Sequence, residues 1–298
     1  MGASFYDEEP LVRQTFDRAD ETLGYDLSSI CFEGPAESLT ETRHSQPGIF
    51  VTSLALYRVL QEKRRNPIEP VATAGLSLGE YTALVAAGSL RFEDALQVVQ
   101  TRASAMQEAC DQRPGGMCSV LGLDREQVEQ VCEEVADGEV LGVANVNAPE
   151  QIVISGENDA LERARERLDE EGARVISLDV AGAFHSDLMA PAADAVRDAV
   201  ENVDLRSPEL PVVSNVTGMV VEKPDEIRRL LVEQLTSPVL WEPSLRTMKS
   251  ELNADCYLEV GPGRVLTGLV RRTHEDAETF NLQGPEDLDA LGDGEETG

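Results

Sequence analysis

The sequence predicts an α/β protein in which a small subdomain is inserted into a larger one, and three observations carry that expectation. A short apolar run, Val71 to Ala74, leads into Gly75-Leu76-Ser77-Leu78-Gly79 and then into a helical pattern with Leu78, Tyr81, Leu84 and Val85 on one face. Residues 111–181 alternate strand and helix periodicities in the order β-α-β-β-α-β, the ferredoxin-like order. The chain has 298 residues of which 41% are hydrophobic, enough to bury a real core as one domain with an insertion.

Taken in order, the first 45 residues give one amphipathic helix, Leu11 to Leu23, and then coil punctuated by Gly34-Pro35. Gln46-Pro47 opens a long helix through Ile49, Phe50, Leu54, Tyr57, Val59 and Leu60. It ends in Lys63-Arg64-Arg65, cations that suit a helix C-terminus. The run around Ser77 follows, its helix stopped near Gly88. The next helix, Phe92 to about Cys110, places Ala95, Leu96, Val99, Ala103 and Met106 at helical spacing, with Arg102 at the edge of that stripe.

The insert then reads as strand Gly116 to Leu121, helix Asp124 to Ala136, strands Val140 to Val146 and Gln151 to Ser155, helix Asn158 to Glu171 and strand Arg174 to Val180. Beyond it come Ala183-Phe184-His185-Ser186, a helix Leu188 to Val200, a strand Leu210 to Asn215 and a helix Pro224 to Leu235. A strand Cys256 to Val260 and a last helix to about Arg272 complete the pattern. Residues 1–110 and 182–273 are therefore expected to form the large subdomain and 111–181 the insert. Residues 274–298, acidic and aperiodic, read as a disordered tail.

Acidic residues outnumber basic ones by 56 to 25, a net charge of −31 that argues against nucleic acid or an anionic membrane as partner. Lysine occurs only at Lys63, Lys223 and Lys249; a salt-adapted surface and an ordinary solvated acidic face both fit this. No apolar run reaches membrane-span length and the first ten residues carry no basic-then-apolar leader, which reads as cytoplasmic. The five cysteines are scattered and include no C-x-x-C pair, so neither a disulfide framework nor a metal site is expected.

Gly-x-Ser-x-Gly between a strand and a helix is the pattern of a nucleophile elbow. Its tight turn strains the serine backbone, calls for hydrogen-sized side chains at Gly75 and Gly79, and leaves the Leu78 N–H at a helix N-terminus where an oxyanion would form. A serine needs a neighbouring base. Of the three histidines, His44 precedes a helix and His274 lies beside Glu275 and Asp276 at a helix end. His185 lies where the chain re-enters the large subdomain, and elimination makes it the base. Asp179, or a backbone carbonyl, could orient its ring. The Arg102 guanidinium should lie against the core-facing border, where a cation needs an anionic partner; a snorkelling arginine paired with a nearby carboxylate meets that need.

Six ordered pieces make the chain similar to the malonyl-CoA:acyl carrier protein transacylase family. They are Gly75 to Leu84, the helix from Arg102 through Ala109, Asn145-Val146-Asn147-Ala148-Pro149, Phe184-His185-Ser186, Gln234-Leu235 before Pro238-Val239, and Glu259 to Leu269. The resemblance implies an α/β-hydrolase-like large subdomain with an inserted ferredoxin-like one. It also implies ping-pong transfer of malonyl from malonyl-CoA to the phosphopantetheine thiol of acyl carrier protein in fatty acid biosynthesis, with no cofactor in the enzyme itself.

Under that resemblance Ser77 is acylated, His185 is the general base, the Gln234 backbone carbonyl orients it, Leu78 gives an oxyanion N–H and Arg102 grips the malonyl carboxylate. Asn145 and Asn147 match a segment near the cleft, and Phe184 matches the malonyl-selective form of related acyltransferases. Arg264, Arg271 and Arg272 are the candidate basic patch for an acidic carrier on an otherwise acidic, monomeric enzyme. Leu76 departs from the histidine many members carry. Members also begin with a strand and a Gly-Gln-Gly turn that this sequence lacks, which sets the expectation of a start roughly 10 to 15 residues upstream. A serine esterase or thioesterase, and an inactive carrier-binding module, are the alternatives.

Overall fold

In the computed structural model, residues 1–64 and 68–290 are described. Arg65, with which the sequence reading ends the long helix, and residues 291–298 of the acidic tail lie outside the described residues. Four helices, α1 (Ala3–Glu8), α2 (Pro10–Leu23), α3 (Leu27–Glu33) and α4 (Ala36–Thr40), precede the long α5 (Thr42–Lys63). That helix begins at Thr42, with Glu41 at its N-cap, rather than at Gln46, and Pro47 sits inside it. The run around Ser77 leads to α6 (Gly79–Ala86) and α7 (Phe92–Gln112). The apolar faces of α2, α5 and α7 bury Phe16, Phe50, Leu54, Leu96 and Val99 in one core with Tyr81 and Leu84 of α6.

The middle of the chain forms β1 (Gly115–Leu121), α8 (Arg125–Val135), β2 (Leu141–Ala148), β3 (Gln151–Glu157), α9 (Asn158–Glu170) and β4 (Arg174–Ser177), each near the stretch its periodicity predicts. Asp124 caps α8: its carboxylate accepts the Gln127 N–H while the Gln127 side chain accepts from the Asp124 N–H. A second core, with Val120, Val128, Ile152, Ile154 and Leu168, fills the space between this sheet and α8 and α9.

After a 3₁₀ turn (Asp187–Ala192) come α10 (Ala193–Glu201), β5 (Val212–Val213), β6 (Val220–Val221), α11 (Pro224–Glu233), β7 (Val239–Leu240), α12 (Trp241–Ser250), β8 (Cys256–Val260) and α13 (Val265–Thr273). The main sheet has the order β4-β1-β3-β2-β7. Its last strand is an addition that periodicity did not suggest: β7 pairs parallel with β2, Asn145 opposite Val239 and Val146 opposite Leu240. A two-residue strand following Pro238 is too short to show alternation.

Two expected strands shrink. Val71 to Ala74 contributes a single parallel bridge, Thr73 to Val212, and only Val212–Val213 remains of Leu210 to Asn215. The backbone beyond is engaged elsewhere, for the Ser214 N–H donates to Met219 O and Asn215 O accepts from the Leu240 N–H. The tail needs a larger correction. Residues 278–282 form β9, paired parallel with β8 from Cys256 opposite Glu278 to Val260 opposite Leu282, and α14 (Pro285–Ala290) follows. Leu282 is fully buried in the first core, so the Phe280 and Leu282 alternation outweighs the acidic composition that suggested disorder.

Candidate active site

Ser77 has φ 52°, the left-handed region that a side chain adopts only under constraint. The constraint is visible on both sides of it. A Cβ on Gly75 would stand 2.1 Å from the Gly79 carbonyl carbon, so only hydrogen fits there. Gly79 carries no such restriction, since a Cβ on it would meet nothing within 4 Å, and the expectation of a steric need at both glycines holds for Gly75 alone. Asn215 then clamps the turn: its Oδ1 accepts the Ser77 N–H at 2.6 Å and its Nδ2 donates to Gly75 O at 2.8 Å.

Leu78 is the N-cap of α6. The first turn's bonds run from Gly79 to Leu76 O, from Glu80 to Ser77 O and from Tyr81 to Leu78 O, so the Leu78 N–H is among the donors a helix start leaves unspent.

His185, also in a left-handed conformation (φ 58°), lies just before the 3₁₀ turn and faces Ser77. Its Nε2 lies 2.8 Å from Ser77 Oγ, and its Nδ1 lies 2.8 Å from Gln234 O. A carbonyl can only accept, so the proton is on Nδ1 and the Nε2 lone pair faces the serine hydroxyl. That carbonyl fills the orienting position, whereas Asp179 is exposed and makes no bond to the ring. Phe184 packs on Met117, Ala144 and Val153 of the main sheet, which fixes the loop that carries the histidine.

Burial is the larger cause, and the Arg102 charge the second, of a His185 pKa lowered to about 4, against the raising effect of the Gln234 carbonyl. The ring is therefore a neutral base through the physiological range. Acylation of Ser77 by a neutral thioester such as acetyl-CoA should stay flat from pH 7 to 5.5 and fall about tenfold per unit only below the histidine pKa. A rapid-quench pH profile with its acid limb near 6.5 would instead indicate a solvated ring.

Arg102 is 1% exposed, which excludes the snorkelling alternative. Its Nη1 donates to Gln46 Oε1 at 2.5 Å, and its Nη2 donates to Gln234 Oε1 at 2.9 Å and to Ser77 Oγ at 3.0 Å. The guanidinium carbon lies 5.6 Å from the Tyr81 ring centre, and Nε has no hydrogen-bond partner among the described residues. Burial pulls the arginine below its usual value, yet its direct partners are all neutral oxygens. A buried cation so held, touching the candidate nucleophile, is set to receive an anionic group there.

Asn145 is buried opposite Val153 across β2 and β3, on the sheet face that meets Phe184. Asn147 Oδ1 is buried without a partner among the described residues. Arg264, Arg271 and Arg272 are exposed at either end of α13. Arg271 Nε donates to Thr279 Oγ1 and Arg272 Nε to Pro149 O, and none of the three forms an ion pair with a carboxylate among the described residues.

The expected residues Ser77, Leu78, Arg102, His185 and Gln234 are thus brought together. Four contributions to the cluster were not anticipated: Asn215, Gln46, Glu80 and the side chain of Gln234. The buried carboxyl of Glu80 accepts from Gln234 Nε2 at 2.6 Å.

Residues 1–286 match the acyl transferase domain family. This chain belongs to that family. Among relatives of the acyl transferase is the malonyl CoA-acyl carrier protein transacylase of Bacillus subtilis, 42% identical over 291 residues, covering 97% of this chain and 90% of the relative. The enzyme of the same name from Escherichia coli strain K12 is 41% identical over 286 residues, covering 96% and 90%. A solved holo complex of a type II polyketide acyl-carrier protein with its malonyl-transacylase superposes with a TM-score of 0.93 at 39% identity, covering 97% of this chain and 93% of that one.

Proposed function

We propose that this acyltransferase moves malonyl from malonyl-CoA to the phosphopantetheine thiol of acyl carrier protein through a malonyl-Ser77 intermediate, in fatty acid biosynthesis. The observation that carries the reading is Arg102, a fully buried guanidinium that touches Ser77 Oγ and has only neutral partners. An acyl chain ending in a carboxylate supplies the directly bonded anion that these neutral hydrogen-bond partners do not, and that a neutral ester lacks, which favours a malonyl transferase over an esterase.

In the forward half-reaction Ser77 Oγ attacks the thioester carbonyl as its proton passes to His185 Nε2. The resulting imidazolium is held by the Gln234 carbonyl at Nδ1, and the Leu78 N–H faces the developing oxyanion. Collapse breaks the C–S bond, and the proton leaves with the CoA thiol. The carrier thiol then attacks the malonyl ester, with His185 again taking the proton, and Ser77 is regenerated. Ser77, His185 and the two thiols close this cycle without a cofactor. Asn145, Asn147 and Phe184 are read as lining the acyl and pantetheine path.

The layout supports an α/β-hydrolase-like subdomain formed by the elbow and the flanking helices, with residues 111–181 as a ferredoxin-like insert. The order β4-β1-β3-β2 and the separate core beneath α8 and α9 favour that division. Among the described residues no helix is long and apolar enough to cross a membrane; that the enzyme is cytoplasmic and monomeric is our reading from the sequence and the resemblance alone. Arg264, Arg271 and Arg272 are read as the carrier's docking patch because no carboxylate pairs with them among the described residues. Changing Arg271 and Arg272 to glutamate should raise the KM for carrier about tenfold, against less than about a twofold change in the KM for malonyl-CoA. An unchanged carrier KM would reject the patch.

Intact-mass measurement tests the function directly. Brief incubation with malonyl-CoA should leave a malonyl adduct on Ser77 that disappears when holo-carrier is added and reappears on the carrier. An adduct lost to water at the same rate with and without carrier would point to a thioesterase. Carrier binding by a folded enzyme that never acylates would point to an inactive carrier-binding module.

A further inference from the structure

Gln234 is held at both ends. Its main-chain oxygen accepts from His185 Nδ1, and its side-chain oxygen accepts from Arg102 Nη2. The Nε2 of the same amide faces three oxygens: Glu80 Oε2 at 2.6 Å, Ser77 O at 3.0 Å and Asn215 Oδ1 at 3.5 Å. With acceptors on one side and a cationic donor on the other, only one orientation of the amide satisfies the site. Of the three acceptors, Glu80 is the closest and the only one able to carry a charge. The reaction as written gives it no part, yet it is 2% exposed and sits one turn below the nucleophile on α6.

We propose that Glu80 is a positioning residue for the carboxylate-binding arginine. It fixes the Gln234 amide with its oxygen toward Arg102, and its charge, relayed through that amide, sets how strongly Arg102 draws a substrate carboxylate. The inference rests on the role given to Arg102 above.

The groups that face Glu80 are few. Arg102 reaches it from α7, Gln234 from the end of α11, and Ser214 and the Asn215 backbone from the segment after β5; Tyr81 is its neighbour on α6. Burial raises the Glu80 pKa to about 7, with the hydrogen bonds and Arg102 opposing. Arg102 stays charged throughout, burial pushes the Tyr81 hydroxyl up to about 12, and His185 is neutral above about 4. Between pH 6 and 8 the charge in this cluster therefore changes at Glu80. Above its pKa the carboxylate competes with the substrate's carboxylate for Arg102; below it the competitor is neutral. Malonyl preference should thus weaken as pH rises.

The test is the ratio of Ser77 acylation rates, malonyl-CoA over acetyl-CoA, measured by quenched intact mass at limiting thioester from pH 6 to 8. Both substrates carry the same CoA phosphates, so the ratio isolates the carboxylate. In the wild type it should fall by roughly threefold to tenfold across that range. In Glu80→Gln, which keeps an acceptor without a charge, it should become pH-independent near the wild-type value at pH 6. In Glu80→Leu the amide is free to turn, and the ratio should drop about tenfold at every pH, whereas a merely structural role would lower both rates alike. A wild-type ratio that does not change with pH overturns the proposal even if the variants fail to fold, as does a wild-type ratio in folded Glu80→Leu. Arg102→Ala separates the two readings: if it keeps the wild-type ratio, the carboxylate-binding role itself is wrong. If it collapses the ratio while Glu80→Leu does not, only the part given to Glu80 is wrong.

Discussion

Ser77→Ala should lower malonyl transfer by about 10⁴-fold or more and abolish the acyl-enzyme, while the folded state persists. The size follows from the site. Ser77 Oγ is the group on which His185 Nε2 and Arg102 Nη2 converge, at 2.8 and 3.0 Å, so nothing else in the cluster can take the acyl group. What remains after the substitution is the oxyanion donor and substrate binding, which act on bound water alone. Alanine has no larger side chain than serine, and the Ser77 N–H bond to Asn215 is made by the backbone. Thermal unfolding should therefore shift little. An acyl adduct of undiminished yield in the alanine variant would place the nucleophile elsewhere.

Arg102→Ala should have the second largest effect, on selectivity more than on chemistry. Removing one partner of a buried, hydrogen-bonded charge pair costs roughly 2 to 5 kcal/mol, which corresponds to about a 30-fold to 4,000-fold loss in malonyl acylation. Acetyl-CoA has no carboxylate to lose, so its rate should fall far less. The measurement is the pair of single-turnover rates for the two thioesters. Equal losses would mean that Arg102 serves the fold or the nucleophile rather than the acyl terminus. Lysine at the same position should recover only part of the malonyl rate, because an ammonium cannot offer the planar fork that pairs with both carboxylate oxygens.

Ser77, Leu78 and His185 were legible because each sits in a local pattern that constrains its chemistry: a turn, a helix start, a re-entry loop. The stripe edge marked Arg102 as a cation in need of a partner, and the family resemblance alone suggested which. Glu80 lies in the same stretch as Ser77 and still reads as an ordinary acidic residue in a helix's first turn, where such residues commonly face water. Its burial is set by Gln234 and Asn215, which approach from more than 130 positions away in the sequence. Gln46 and Asn215 escaped for the same reason, since an amide's partner is a tertiary fact. The insert was legible element by element because its strands and helices alternate with short turns and strong periodicity. Periodicity misleads where strands are two residues long, as in β5 and β7, and where β9 hides its alternation in an acid-rich stretch.

The hydrogen bonds of the site also span the chain widely: Ser77 meets His185 across 108 residues, the Asn215 side chain across 138 and that of Gln234 across 157. Contacts of such separation are among the slowest to form, because the loops they close carry the largest entropy cost. The neutral histidine, the aimed arginine and the strained serine exist together only when all of these closures are in place. A chain can thus be compact, with its insert already folded, and remain unable to accept an acyl group. Competence at Ser77 is a report that folding has finished, and the acyl adduct measures that fraction of a refolding population one molecule at a time.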